Sequence, residues 1–228
     1  NIQTNKEENK TKAIWIGRLD GEFKNNILIR VMKDLNNYGR EKNKNNIELD
    51  IVGNGPGMHE IQQVASSLDF LNVNFLLEKR GEELRSIIKK SNLGFAMGTS
   101  AIEISACGVP TILLDFSYSP VPDNYRYRWF FESTGYSLGR SIELEKDGSM
   151  GNSMHMNDVI DSLNLNPESL SKQCFEYAIN NHTSVIFDKK IAHILDTANS
   201  SFLEMKNLGL LKKPFWVFLK KLVRKIKG

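Results

Sequence analysis

Between Ala13 and Phe116 the chain alternates short apolar runs with stretches whose apolar residues recur every three or four positions. The runs AIWIG (13–17), ELDIVG (48–53), NVNFLL (72–77), LGFAM (93–97) and TILLDF (111–116) have strand length. The stretches between them predict amphipathic helices. The first carries Ile27, Val31, Leu35 and Tyr38; the second Ile61, Val64, Ala65 and Leu68; the third runs from Glu82 to Lys90 with Leu84, Ile87 and Ile88 inward; a short helix precedes the fifth strand. Strands that alternate with helices are joined by crossovers and lie parallel, so the expected class is α/β, with five strands and four crossovers.

The remaining sequence is less regular. Residues 1–12 hold one apolar side chain and predict a linker, with the domain proper spanning 13–208 and a basic amphipathic helix at 209–228. An aromatic-rich stretch follows Asp115, residues 144–154 form a Gly/Ser/Met loop, and helices are expected at 155–163, 167–180 and 183–208, with Pro167 suited to a helix first turn. One domain of this size accommodates all 228 residues. The first residue is Asn1 and no charged-then-apolar leader follows, so a further segment upstream is expected.

No apolar run reaches the ~20 residues of a membrane-spanning helix. The net charge of +3 conceals an asymmetry. Residues 206–227 hold eight Lys and Arg and no acid, which leaves −5 for the rest, a sign that argues against a basic nucleic-acid face across the fold. Cys107 and Cys174 fall in helical stretches with no metal-ligand spacing, and His59, His155, His182 and His193 are scattered, so no metal site and no disulfide is expected.

In open α/β sheets ligands bind beyond the carboxyl ends of the strands, which directs attention to three loops. GRLDGEFK follows the first strand, where Gly17 permits a tight exit and Arg18 and Lys24 place two cations. They are either solvated charges or partners for a diphosphate. GNGPG follows the second strand, where Gly53 and Gly55 suit plain turn chemistry or the approach of a ligand. Its position after the second strand, not the first, argues against a nicotinamide-binding fingerprint. The third loop, MGTSAIEISACGVP, places Gly98, Thr99 and Ser100 at a helix start whose unpaired N–H groups can hold a phosphate. Glu103 lies one turn in. It either grips the two hydroxyls of a ribose or closes an S-x-x-E capping box with Ser100.

Taken in order, "GRL…K" after the first strand, "L-x-I-V-G-x-G-P" at the second, "NV-x-F" at the third and "E-x-x-A-C-G-V-P-T-I" between the fourth and fifth resemble family-4 glycosyltransferases, also called glycosyl transferases group 1. The resemblance spans about residues 13 to 115. It implies the C-terminal, Rossmann-like donor lobe of a two-lobed (GT-B) enzyme, with C-terminal helices. It further implies that Arg18 and Lys24 neutralise the diphosphate of a sugar nucleotide, UDP- or GDP-linked, that the backbone at Gly98 to Ser100 holds its phosphates, and that Glu103 holds its ribose. Metal-free transfer with retention to a glycan or lipid-linked acceptor in bacterial polysaccharide assembly follows from the same resemblance, with the acceptor bound by the N-terminal lobe and the fragment alone turning over poorly. The family's earlier glutamate, eight positions before Glu103, is Phe95 here, which keeps a non-catalytic sugar-nucleotide-binding lobe and a GT-B epimerase as alternatives. In the aromatic stretch, ligand contact by Tyr118 and Tyr125 is open, and core packing is expected for Trp129.

The tail PFWVFLKKLVRKIK aligns Phe215, Phe218, Leu219, Leu222 and Ile226 on one helical stripe, with most of the basic residues elsewhere. That pattern suits an anionic membrane surface, and hence a cytoplasmic protein peripheral on the inner face of the plasma membrane; packing on the upstream lobe is the other reading.

Overall fold

The computed structural model describes residues 10–133, 137–144, 152–197 and 207. The chain divides into two compact units, Asn1–Thr183 and Ser184–Gly228. In the first, the order is β1 (Thr11–Ile16), α1 (Phe23–Lys42), β2 (Ile47–Val52), α2 (Met58–Ser66), β3 (Asn72–Leu76), α3 (Gly81–Lys89), β4 (Leu93–Ala96), α4 (Thr99–Ala106), β5 (Thr111–Leu113), α5 (Met156–Leu165) and α6 (Pro167–His182). The described part of the second unit contains α7 (Ser184–Thr197).

All five strands pair in parallel in the order β3-β2-β1-β4-β5. Both faces are covered, which is why the central strands read as continuous apolar runs. On one face Ala13, Trp15, Leu49, Ile51, Phe95 and Ile112 pack with residues of α1, α2 and α5. On the other, Ile14, Ile16, Val52, Ala96 and Leu113 pack with residues of α3, α4 and α6. The expected α/β architecture is therefore the observed one, a Rossmann-like parallel sheet flanked by helices.

Strand β1 opens two residues before Ala13, since the Lys12 N–H donates to the Asn92 side chain and the Lys12 ammonium pairs with the buried Asp50 at 3.2 Å. Helix α1 ends where Asn43 turns left-handed (φ 50) and Lys44 N–H returns to the Gly39 carbonyl at 2.8 Å. Pro167 opens α6, as expected of a residue with no N–H to satisfy. The expected linker up to residue 9, residues 145–151 of the expected loop, residues 198–206 and 208 of the last expected helix and the tail at 209–228 lie outside the described residues. Among the described residues no helix is long and apolar enough to cross a membrane.

After β5 the chain has no regular period. It is tied to the sheet by isolated bridges, Ile112 with Trp129, Phe116 with Ser141 and Tyr127 with Met154, and by short 3-10 turns at Phe130–Glu132 and Ile142–Leu144. Tyr125, Tyr127 and Trp129 are buried, so the packing expected of Trp129 is observed and Tyr125 joins it.

Candidate functional site

The crossovers from β1 and β4 leave neighbouring strands toward opposite faces, α1 to one and α4 to the other. A crevice at the carboxyl edge results at such a reversal. One wall is the loop Gly17 to Glu22, the other the turn Met97 to Ser100.

The first wall is built by two glycine-containing loops zipped together. Gly17 N–H donates to Val52 O (3.1 Å), Leu19 N–H to Asn54 O (3.1 Å) and Gly57 N–H to Leu19 O (3.0 Å). A Cβ on Gly53 would sit 1.9 Å from the Gly17 carbonyl oxygen, and one on Gly55 2.0 Å from that of Leu19, so only glycine permits the approach. The N–H groups of Gly53 and Gly55 already donate, to Leu76 O and to the Asn54 side chain. Both glycines shape the loop that carries Arg18, and their N–H groups already have partners within the protein.

The Asp20 carboxylate accepts the N–H groups of Glu22 and Lys24 and so starts α1. Lys24 is thereby fixed at the helix entry, its ammonium 5.8 Å from the centre of the Phe23 ring. Arg18 is exposed on the same loop. Among the described residues neither forms a salt bridge. Burial pushes the Lys24 ammonium below its ordinary value, the nearby Arg18 charge pushes the same way, and Asp20 opposes them.

The second wall depends on Gly98. Its backbone (φ 65, ψ −148) is one that side chains rarely adopt, and nothing lies within 4 Å of where a Cβ would be. Its own N–H is spent on Leu138 O at 2.6 Å. Gly98 is the N-cap of α4 and no side chain caps the helix, so the Thr99 and Ser100 N–H groups open it without intrahelical acceptors. This cap bears on the capping-box reading of Glu103. The helix begins at Thr99, which places Glu103 at its fifth position and not at the third that a capping box requires. Glu103 is exposed, with no hydrogen bond or ion pair among the described residues.

Phe95 is fully buried in β4 and meets Tyr127 edge-on at 6.4 Å, so it faces the core and not the crevice. Other anchoring residues carried no sequence signal that the motifs picked up. Asp115, Arg128 and Asn152 form a buried cluster at the end of β5, and Glu143 accepts hydrogen bonds from Ser117, Ser141 and the N–H groups of Tyr118 and Ser119. An acid ending an otherwise apolar strand was the one available sign of the first. Cys107 and Cys174 are free thiols, and the described residues contain no cluster that could hold a metal ion. A separate groove of about 600 Å³ lies between α3 and the face of β3 and β2; there Asp50 accepts from Asn74 and pairs with Lys12, so its charge is already met.

The model of the family described as glycosyl transferases group 1 matches residues 1–122, more than half of the chain. The chain belongs to this family. No curated protein sequence matches. Among solved structures, the glycosyltransferase-family chain resembles a point mutant of Staphylococcus aureus TarM, in complex with fondaparinux, α-GlcNAc-glycerol and UDP (TM-score 0.53, 14% identity, 84% of this chain and 37% of that one). It also resembles a UDP-forming α,α-trehalose-phosphate synthase from Burkholderia xenovorans (TM-score 0.52, 12% identity, 85% and 46%). A third is the pneumococcal O-GlcNAc transferase GtfA in complex with UDP and GlcNAc (TM-score 0.50, 14% identity, 85% and 37%). At these identities the likeness is one of fold. The chain spans less than half the length of each of these three.

Proposed function

We propose that this chain is the donor-binding, C-terminal lobe of a GT-B glycosyltransferase, holding a nucleoside diphosphate sugar in the crevice between the β1 and β4 loops. The observation that carries the reading is the convergence there of two unpaired cations, Arg18 and Lys24, with the uncapped start of α4. A helix start presents about half a positive charge and free N–H donors, and together with two cations it suits a diphosphate leaving group. Gly98 keeps the approach open, and Glu103 stands one turn along α4, free to accept two ribose hydroxyls. Gly17 gives the loop its exit from β1.

In this reading the leaving diphosphate is stabilised by the protein's own charges, without a metal ion. The donor is UDP- or GDP-linked, transfer is retaining, and the acceptor, a glycan or lipid-linked saccharide of bacterial polysaccharide assembly, is bound by the other lobe. The basic tail would then serve a membrane surface on the cytoplasmic side. A second reading, a lobe that binds a sugar nucleotide without turnover, is favoured by the burial of Phe95 where the family carries a glutamate.

Calorimetric titration with UDP, GDP and ADP tests the site. Binding of one of them is expected, weakened about 10- to 100-fold by Arg18→Ala and by Glu103→Gln, since hydrogen bonds to charged groups contribute roughly 1.5–3 kcal/mol. Failure of all three to bind overturns the donor-lobe reading. Turnover by the full-length enzyme separates the catalytic reading from the non-catalytic one.

A further inference from the structure

Tyr118 is 65% exposed, although it is aromatic and follows a strand whose residues are buried. It is also held in place. Its N–H donates to the Glu143 carboxylate, and the preceding residue is anchored on both sides, its N–H to Phe23 O (3.3 Å) and its carbonyl to the Asn26 side-chain amide (3.0 Å). The ring itself meets Phe23 at 5.6 Å and 50° and Phe116 at 6.0 Å and 90°. Neither neighbour is stacked on it, so two rings prop it while no parallel partner covers its face.

The location narrows what could lie there. Phe23 and Phe116 pack with the core on the α1 side of the sheet, whereas Glu103 rides on α4 on the other side. Lys24 and Tyr118 flank the same Phe23 ring, 5.8 Å and 5.6 Å from its centre. A nucleotide whose ribose lies at Glu103 and whose diphosphate lies at Arg18 and Lys24 has its base on the α4 side. The group that continues past the diphosphate toward α1 is a sugar.

We propose that Tyr118 is a stacking platform for a pyranose ring beside the diphosphate site. The inference rests on the donor-lobe reading for its direction along the ligand. A pyranose presents a face of C–H groups and a rim of hydroxyls. A rigid, exposed aromatic ring matches the first, and leaves the second to water and to the phenol hydroxyl, as an aliphatic side chain does not. The ring belongs either to the donor's own sugar or to the acceptor's.

The test compares this chain with Tyr118→Ala, Tyr118→Leu and Tyr118→Phe. Unchanged thermal midpoints are the control for folding, which the exposure of the side chain favours. Calorimetric titrations with UDP, UDP-glucose, GDP and GDP-mannose read the donor arm. Saturation-transfer NMR with methyl glucosides, galactosides, mannosides and N-acetylglucosaminides, in the presence of saturating UDP or GDP, reads the acceptor arm. A five- to tenfold loss of sugar-nucleotide affinity in the Ala and Leu variants, with the free diphosphate unaffected and Phe near wild type, assigns the platform to the donor ring, at about the strength of an aromatic pair. Loss of the glycoside signal alone assigns it to the acceptor ring. If neither arm changes on removal of the ring, the platform is overturned. If wild type binds no diphosphate, the donor-lobe reading falls; a glycoside signal that still depends on the ring would leave the platform standing.

Discussion

Arg128 and Asp115 meet through two parallel 2.8 Å hydrogen bonds, with both side chains buried. Asn152 bridges the pair, accepting from Arg128 at 2.6 Å and donating to Asp115 at 3.1 Å, and the Arg140 N–H adds a further bond to Asp115 at 2.9 Å. One carboxylate at the end of β5 thus gathers three segments that have no strand or helix to place them. Removing one member leaves the other charge buried and unmatched, and breaking such pairs costs about 3–5 kcal/mol. Arg128→Leu is expected to lower the unfolding free energy measured in urea by an amount of that order, and Asp115→Leu by at least as much, because it also removes the acceptor of the Arg140 N–H. A midpoint for Arg128→Leu within error of wild type would show that the cluster contributes nothing net.

That cluster also marks where the sequence stops being legible. β1, β2, β4 and β5 could be read because each is a largely apolar run covered on both faces, and β3, at the half-exposed sheet edge, keeps enough of the pattern in Val73 and Phe75. The crevice could be read from Gly17, Arg18, Lys24 and Gly98 because they follow strand ends directly. Residues 116–144 could not, since Asp115 finds its partners 13, 25 and 37 positions away and no period links them. The capping box at Ser100 was misleading for a local reason. Gly98 takes a backbone that side chains rarely adopt, so the helix starts two residues earlier than the Ser-x-x-Glu pattern implies.

Two glycines of the crevice should fail differently on substitution. Gly53→Ala places a methyl group 1.9 Å from the Gly17 carbonyl oxygen, so the β1 and β2 loops must part. A loss of at least about 1–3 kcal/mol is expected in denaturant unfolding. Gly98→Ala meets no atom but forces a side chain into φ 65, a strain of about 1–3 kcal/mol that α4 can relieve by turning its first N–H groups. Titration with the diphosphate that binds is expected to show a loss of affinity for Gly98→Ala larger than its loss of stability accounts for; equal effects in the two assays would contradict this division.

The Glu143 carboxylate anchors the backbone under Tyr118. Burial alone pushes its pKa up, but hydrogen bonds from Ser141, Ser117 and the Tyr118 N–H outweigh it and hold the group at about 2. A carboxyl depressed on folding contributes stability that is present above its ordinary value of 4.5 and is lost as the pH falls toward 2. The stability difference between wild type and Glu143→Gln is therefore expected to be constant near neutrality and to shrink across that window. A difference that stays constant down to pH 2 in acid titrations would remove Glu143 from the anchor.

Lys24 gives the diphosphate site a pH dependence of its own. In the free protein burial depresses its ammonium below 10.5; Asp20 opposes that shift and Arg18, a smaller effect, adds to it. A bound diphosphate favours the charged form, so binding is tightest where Lys24 is already protonated and weakens as the pH rises through its lowered value. Of the two cations only Lys24 gives a slope, because a guanidinium stays charged throughout. Lys24→Arg should therefore keep most of the affinity and lose the slope, whereas Lys24→Ala should lose both. Diphosphate affinity measured from pH 7 to 10 on the three proteins decides the matter: a slope undiminished in Lys24→Arg would place the titrating group elsewhere, on the ligand or on another side chain.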